Sequence, residues 1–479
     1  MSDRDIGTGP QESCAVMAVS GTEHASRHIY FGLRALQHRG QESAGITTFS
    51  RQLHEHKGMG LVHEVFGEME IASLPGKVGI GHVRYSTTGS SKIKNAQPIL
   101  VPFGTSDDKV ALAHNGDIVN SETIRRKMMK AGFHFDTTTD SELLAKSLAF
   151  NLELHGDPVK AFRNMDKLFK GSFCVVAMWN KTVMAYRDRL GIRPLALGEF
   201  PGGGAHAVGS ETVALEMLGC HKIRDVEPGE LLIFIDGGME SRRIAKESHY
   251  GHCMFEWVYF ARPDSSIQGS LVYQVRFDIG RALARLHPVE ADVVVPVPDS
   301  GRPQAYGYSH ESGIDAAEGL IKNRYVGRTF IMPGKDDRGM NVRVKLNAVR
   351  PLIRDKRVVL VDDSIVRGTT MRRIVHHLKE AGAKEVHVRV GCLPIIAPCY
   401  LGIDMKTRDQ FIANGKSVDE ISNEIGAESV KYLTMDELVK AIGLRREDLC
   451  VGCLTGEYPL KIPGERERFQ RTLFDEKCG

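Results

Sequence analysis

The sequence predicts an α/β protein in two parts, a mixed, strand-rich first half and a second half built on a parallel α/β sheet. Three observations carry this. Short apolar runs broken by Gly, Asn and Thr fill the chain to about residue 245, strand, helix and strand patterns alternate in order beyond it, and the polar, aperiodic stretch IAKESHYGHC divides the two. Strand–helix–strand order is the pattern of parallel strands joined by helical crossovers.

In the first half, KVGIGHVRY, KVALAHNGDIV, SFCVVAMWN and ELLIFID read as strands. SETIRRKMMKAG and DSELLAKSLAFNLELHG read as helices; Asp140 or Ser141 can cap the second, and Gly156 follows its end. In the second half RFDIGRALARLH reads as a helix, ADVVVPVPDS and KRVVLVDDS as strands, TMRRIVHHLKEAGA as a helix and EVHVRVG as a strand. Met371, Ile374, Val375 and Leu378 fall at i, i+3, i+4 and i+7, one apolar helix face. There is no internal repeat and no long low-complexity segment.

A length of 479 residues is enough for two to four domains. A net charge of +3 implies no strong field toward nucleic acid or a membrane surface. No run of about 18 apolar residues occurs, so no membrane span is expected. Residues 1–13 have neither a basic nor an apolar region of a secretion signal. The nine cysteines are odd in number and widely spread, which suits a reducing cytoplasm and thiols that are catalytic or metal-bound.

The most informative stretch is VVLVDDSIVRGTTM, residues 358–371. An apolar strand ends in Asp362 and Asp363, at the edge where ligands bind open α/β sheets. A short loop then enters a helix whose free N–H groups, with the Thr369 and Thr370 hydroxyls, can cradle phosphate. The two carboxylates suit ribose hydroxyls or a hard cation such as Mg²⁺. A DD pair alone could merely end a strand. The whole string resembles the 5-phosphoribosyl-1-pyrophosphate (PRPP) motif of type I phosphoribosyltransferases. Ser300 and Gly301 in PVPDSGRP form a turn able to hold pyrophosphate, and Arg338, Arg343 and Lys345 sit together on a polar segment that reads as a solvated loop or as a closing lid. The resemblance implies PRPP ligands at Ser300, Gly301, Arg338, Arg343, Lys345, Asp362, Asp363, Ser364, Arg367, Gly368, Thr369 and Thr370, with Mg²⁺ on Ser300, Asp362 and Asp363.

Weaker signals lie upstream: Cys14 in QESCAVMAV, Arg39 and Gly40 in LQHRGQESAGI, Arg84 and Thr87 in GHVRYSTTG, Asn115 and Gly116 in AHNGDIVN, and Asp140 in TTTDSE. Alone, Cys14 reads as a small packed hydrophobe or as a nucleophile, and Asn-Gly as a turn. Together and in order they resemble the glutaminase domain of class II glutamine amidotransferases. With the phosphoribosyl motif behind them, essentially residues 12–460 are similar to the amidophosphoribosyltransferase family. That resemblance implies an N-terminal-nucleophile αββα sandwich over 14–245, a type I phosphoribosyltransferase domain with a cluster-binding C-terminal segment over 246–479, and a propeptide at 1–13. It further implies Cys14 as nucleophile with its own α-amine as base, Asn115 and Gly116 as oxyanion hole, and Arg39, Gly40, Arg84, Thr87 and Asp140 at the glutamine. Ammonia would displace pyrophosphate from C1 of PRPP to give 5-phosphoribosylamine. A homotetramer and feedback inhibition by purine nucleotides are likewise implied. The family usually has Cys-Gly-Val-Phe-Gly where this chain has Cys-Ala-Val-Met-Ala; if position 15 needs φ > 0, the Ala15 Cβ is costly.

Cys450 and Cys453 form a C-x-x-C, and Cys253 and Cys399 lie elsewhere. Four thiolates suit Zn²⁺ or a [4Fe–4S] cluster, and spacing leaves both open. The resemblance, to the iron–sulfur branch of the family, implies the cluster. Cys174 and Cys220 read as packed thiols, Cys392 as lying in or just after a strand, and Cys478 as part of a frayed tail. Two other functions compete: a PRPP-binding regulator, or an ammonia-only relative whose glutaminase site stays unprocessed and inactive. An amidotransferase acting on a sugar phosphate would need an isomerase domain where the phosphoribosyl motif stands.

Overall fold

The computed structural model describes residues 14–85, 92–104, 109–323, 346–405 and 407–464. Its first half is a four-layer sandwich. A seven-stranded sheet contains β1 (Ala15–Ser20), β2 (Ser43–Phe49), β3 (Leu53–Met59) and β4 (Val78–Arg84), with β1 beside β4 and β4 beside β2. A six-stranded sheet runs from β5 (Ile99–Pro102) through β6 (Lys109–Ile118), β7 (Gly171–Trp179) and β8 (Thr182–Arg187) to the hairpin Glu230–Ile235 and Gly238–Arg243.

Both faces of the central strands are buried, so these strands are apolar throughout instead of alternating. In β1, Ala15, Met17 and Val19 face the helix Ala25–Ala35, while Val16 and Ala18 face the second sheet. In β6, Val110 and Leu112 face the helices Asp140–His155 and Pro158–Leu168, while Ala111 and Ala113 meet the first sheet. The αββα order implied by the resemblance follows. One detail differs: Thr139, not Asp140 or Ser141, stands at the N-cap of Asp140–His155, because Asp140 is already in the first helical turn with its carboxylate engaged elsewhere. Gly156 closes that helix in the left-handed conformation, as its position predicts.

Ala15 is fully buried and paired antiparallel with Val83. It is absent from the described non-glycine residues with positive φ, so a Cβ at this position carries no backbone cost.

The second half is a parallel four-stranded sheet in the order Val293–Pro296, Arg357–Asp362, Glu385–Val390, Ser429–Tyr432. Helices cover both faces. Met371, Ile374, Val375 and Leu378 of the helix Thr369–Glu380 are all buried against one face. The helix Val272–Leu286 packs on the other. That second core also takes in Leu190 and Ile192 from the first half and Leu449, Val451 and Cys453 near the chain's end. No helix among the described residues is long and apolar enough to cross a membrane.

Candidate active sites

The first site lies where β1 begins and β4 ends. The Cys14 Sγ donates to the Tyr85 C=O at 3.3 Å. Desolvation raises this thiol above its ordinary value; the bond to Tyr85 and the Arg84 charge work in the other direction. Arg84, Asp140 and Glu42 all act electrostatically on it, so the three charged groups surround one thiol. Arg84 is buried at the end of β4 with its Nη1 3.8 Å from Glu42. Gly40 abuts it so closely that a Cβ there would stand 2.7 Å from the Arg84 nitrogen.

Asn115 and Gly116 sit side by side on β6. The Asn115 amide is buried, and among the described residues neither Oδ1 nor Nδ2 is hydrogen-bonded, an unusual state for a buried side-chain amide. Gly116 has φ +148° and lies so near the Ser172 C=O that a Cβ would stand 1.8 Å from it. Opposite Gly116, Phe173 uses both its N–H and its C=O on Asp188. Gly116 therefore faces Phe173 across a non-hydrogen-bonded pair. Asp140 accepts the Ile118 N–H at 3.0 Å and lies 3.8 Å from the His114 ring. Burial pushes its carboxyl up to about 6. Burial likewise holds His114 near 4 and His82 near 3, so both rings are neutral at pH 7.

Arg39 departs from its expected role. Its guanidinium is buried between Glu211 and Glu256 and bonded to both, so it is not available for a glutamine carboxylate. Burial works to raise Glu211, but Arg39 and His38 outweigh it and hold that carboxyl well below the usual range. Glu256 also takes Arg193 Nη1 at 2.9 Å. This network of buried charges joins the two halves, and charge patterning could not find it. Arg193 and Glu256 stand in the stretches RDRLGIRPLALG and FEWVYFARPDS, where nothing in the sequence marks them as buried.

The second site stands at the C-terminal edge of the parallel sheet, where Asp362 ends its strand. Asp362 and Asp363 are fully buried, and among the described residues each has one carboxylate oxygen, Oδ2, without a partner. Burial, then mutual repulsion, pushes Asp362 far up; burial also raises Asp363, against hydrogen bonds from Ser300 and Ser364. The Ser364 Oγ donates to Asp363 at 2.6 Å. Gly301 and Gly368 stand at the starts of the helices Arg302–Ser312 and Thr369–Glu380, which brings the pyrophosphate turn and the Thr369–Thr370 cradle to one sheet edge. Arg367 lies in the adjoining loop and donates to Gln410 at 2.7 Å. Thr87, Arg338, Arg343 and Lys345 lie outside the described residues.

The comparisons with known proteins agree with this pair of sites. Residues 82–217 match the glutamine amidotransferase domain family and residues 274–396 the phosphoribosyl transferase domain family. An amidophosphoribosyltransferase of Methanothermobacter thermautotrophicus is 46% identical over 464 residues, 96% of this chain and 97% of that protein. The chain belongs to the amidophosphoribosyltransferase family. Its two parts accordingly serve one reaction, glutamine-dependent amidotransfer to PRPP in purine biosynthesis. Another amidophosphoribosyltransferase, of Bacillus subtilis, is 44% identical over 95% of each chain. The solved glutamine PRPP amidotransferase from B. subtilis, complexed with ADP and GMP, superposes with a TM-score of 0.89 at 43% identity, covering 94% of this chain and 98% of that one. A second structure, described as the allosteric regulatory enzyme of purine biosynthesis, superposes equally well.

In this amidophosphoribosyltransferase fold, the four cysteines expected to act together come from three segments. Cys253 pairs with Cys450 in a short parallel bridge. The Cys453 C=O accepts the Ile396 and Ala397 N–H groups, which brings the segment carrying Cys399 alongside. Desolvation raises all four thiols, Cys450 to about 12, and electrostatic repulsion from other members of the set adds to it for Cys253, Cys450 and Cys453. Among the described residues, no three His, Cys, Asp or Glu form a group that could hold a metal ion. Cys174 and Cys392 are buried as packed thiols, Cys392 two residues past its strand, and Cys220 is half-buried. Cys478 lies outside the described residues.

Proposed function

We propose that Cys14, freed as an N-terminal residue by removal of residues 1–13, is the glutaminase nucleophile of this amidophosphoribosyltransferase. The observation that carries the reading is the unpartnered, buried Asn115 amide beside Gly116, on the strand that leads to Asp140's backbone partner Ile118. In this reading the Cys14 α-amine takes the thiol proton, and sulfur attacks the glutamine amide carbon. Asn115 Nδ2 and the Gly116 N–H hold the oxyanion, donors of a kind worth about 3 kcal/mol each. The amide nitrogen leaves as ammonia, water cleaves the thioester to glutamate, and Cys14 is restored. Arg84 holds the α-carboxylate of glutamine and Asp140 its α-ammonium, with Gly40 and Thr87 completing the pocket.

Ammonia then displaces pyrophosphate from C1 of PRPP. Ser300, Gly301, Ser364, Arg367, Gly368, Thr369 and Thr370 hold phosphate, Asp362 and Asp363 the ribose hydroxyls, and Arg338, Arg343 and Lys345 neutralise the leaving pyrophosphate. The orphaned Asp362 and Asp363 oxygens fit Mg²⁺, which with Ser300 they would hold, and which would supply charge to the pyrophosphate.

Cys253, Cys399, Cys450 and Cys453 bind a [4Fe–4S] cluster. The three segments that bring these four cysteines together supply soft sulfur donors of the kind a cluster takes, with zinc as the competing reading. Eight free cysteines among the described residues suit a reducing, cytoplasmic setting. Regulation by purine nucleotides is supported by the relative solved with ADP and GMP, and the homotetramer follows from the family resemblance alone.

The test is intact mass under denaturing conditions together with paired assays. A mass lacking residues 1–13, with synthesis of 5-phosphoribosylamine from glutamine, supports the reading. An uncleaved chain that uses only ammonia sinks it.

A further inference from the structure

Arg193 is fully buried, yet only part of its guanidinium is engaged. Nη1 donates to Glu256 at 2.9 Å, whereas Nε and Nη2 are buried without a partner among the described residues. Glu256 is itself shared with Arg39. An arginine stays charged in any protein, so its unanswered N–H groups are costly unless an acceptor meets them. Arg193 lies within electrostatic reach of Cys253, Cys399 and Cys450. It is anchored beside them because the preceding C=O, of Ile192, takes the Cys253 N–H at 3.0 Å.

Gly402 fixes the geometry on the far side. It has φ +104°, and a Cβ there would stand 3.1 Å from Arg193 Nη2 and 3.2 Å from the Gly116 Cα and carbonyl carbon. A segment carrying Cys399 thus lies between the Arg193 guanidinium and the backbone of the proposed oxyanion hole. Any larger residue at 402 would push the two apart.

We infer that Arg193 aims its Nε–H and Nη2–H donors at the sulfurs of the cluster held by Cys253, Cys399, Cys450 and Cys453, and thereby pins the segment around Gly402 against Gly116. A thiolate-ligated cluster is an anion rich in sulfur acceptors, which is what a buried cation with idle donors lacks. Arg193 is a positioning residue here, and the inference rests on the cluster reading above.

The test uses the full-length protein purified without oxygen. Iron and sulfide content, bleaching of cluster absorbance in air and the midpoint potential are measured for the native chain, Arg193→Gln, Arg193→Lys and Glu256→Gln. Arg193→Gln shortens the cluster's lifetime in air by roughly tenfold, the scale on which outer-shell partners act. It also lowers the potential, since hydrogen bonds to sulfur favour the reduced state. Arg193→Lys restores part of both, and carries the test if the glutamine variant does not fold. Glu256→Gln strips the buried counter-charge that anchors the Arg193 guanidinium, so its cluster also bleaches faster than the native one. Native bleaching and potential in both Arg193 variants overturn the role of Arg193. Native protein without iron and sulfide overturns the cluster itself, before any variant is made.

Discussion

The glutamine site and the PRPP site solve the burial of polar groups in opposite ways. At the glutamine site, charges of both signs, Arg84, Asp140 and Glu42, surround a single thiol, and the idle groups are the neutral donors and acceptors of Asn115. At the PRPP site two carboxyl groups, Asp362 and Asp363, are buried side by side, each with an oxygen unanswered among the described residues. The first arrangement is complete enough to be stable without substrate. The second disfavours ionisation of its carboxyls by burial and leaves an oxygen on each for a ligand to meet. The contrast teaches that one site is organised for a transition state and the other for a ligand.

Replacing Cys14 by Ala tests the first half most severely. Glutamine-dependent synthesis falls by about 10⁴-fold or more, while ammonia-dependent synthesis stays near native; parallel assays with the two nitrogen donors check this. Gly116→Ala comes next. The new Cβ meets the Ser172 carbonyl, so glutaminase activity drops by about 10²–10³-fold, as for a lost oxyanion donor, and thermal unfolding shifts down.

Asp363→Asn sharpens the comparison from the other side. Both nitrogen donors lose activity, by about 10²-fold, because PRPP is held less well; removal of one of two ionisable groups held without solvent raises the melting temperature by a few degrees. Calorimetry beside the assays separates the two effects. A melting temperature that falls would show that the acidic pair is not strained.

The pH profile gives a smaller effect. Asp140 is raised to about 6 by burial, so it is ionised and able to bind an ammonium above that pH and neutral below it. The KM for glutamine therefore climbs about tenfold per unit as pH drops below about 6, with ammonia-dependent turnover of the same enzyme as the reference. Smallest of all is Ala15→Gly. Ala15 is a strand residue, so restoring the family's usual glycine destabilises the chain by about 0.5–1 kcal/mol and leaves glutaminase activity unchanged; denaturant unfolding measures it.

The two sites also differed in how far they could be read in advance. Residues 358–371 state strand, acidic pair, loop and helix in one continuous string, so the elements follow from local rules, and the resemblance adds the expectation of phosphate there. The glutamine site is assembled from positions 14, 84, 115 and 140, and only resemblance joined them. Strand runs, the helix face of Met371 to Leu378 and the closing Gly156 were legible because each follows from local periodicity or capping. Arg39 was misread, and Arg193, Glu211 and Glu256 were missed, for one reason. Whether an arginine meets solvent, a substrate or a buried carboxylate is decided by contacts between segments far apart in the chain, such as Arg39 with Glu256.

Those contacts bear on what counts as a separable piece. A boundary at residue 245 invites the idea of two interchangeable cassettes, either one free to be recombined with a new partner. Arg39 and Arg193 would then lose Glu256, and Leu190 and Ile192 would lose their apolar neighbours. A glutaminase cut out at that point would carry Arg193 with no carboxylate and Arg39 with Glu211 alone, on a newly wetted oily face. The seam between the halves is part of each half's interior, so the two activities are inherited as one object.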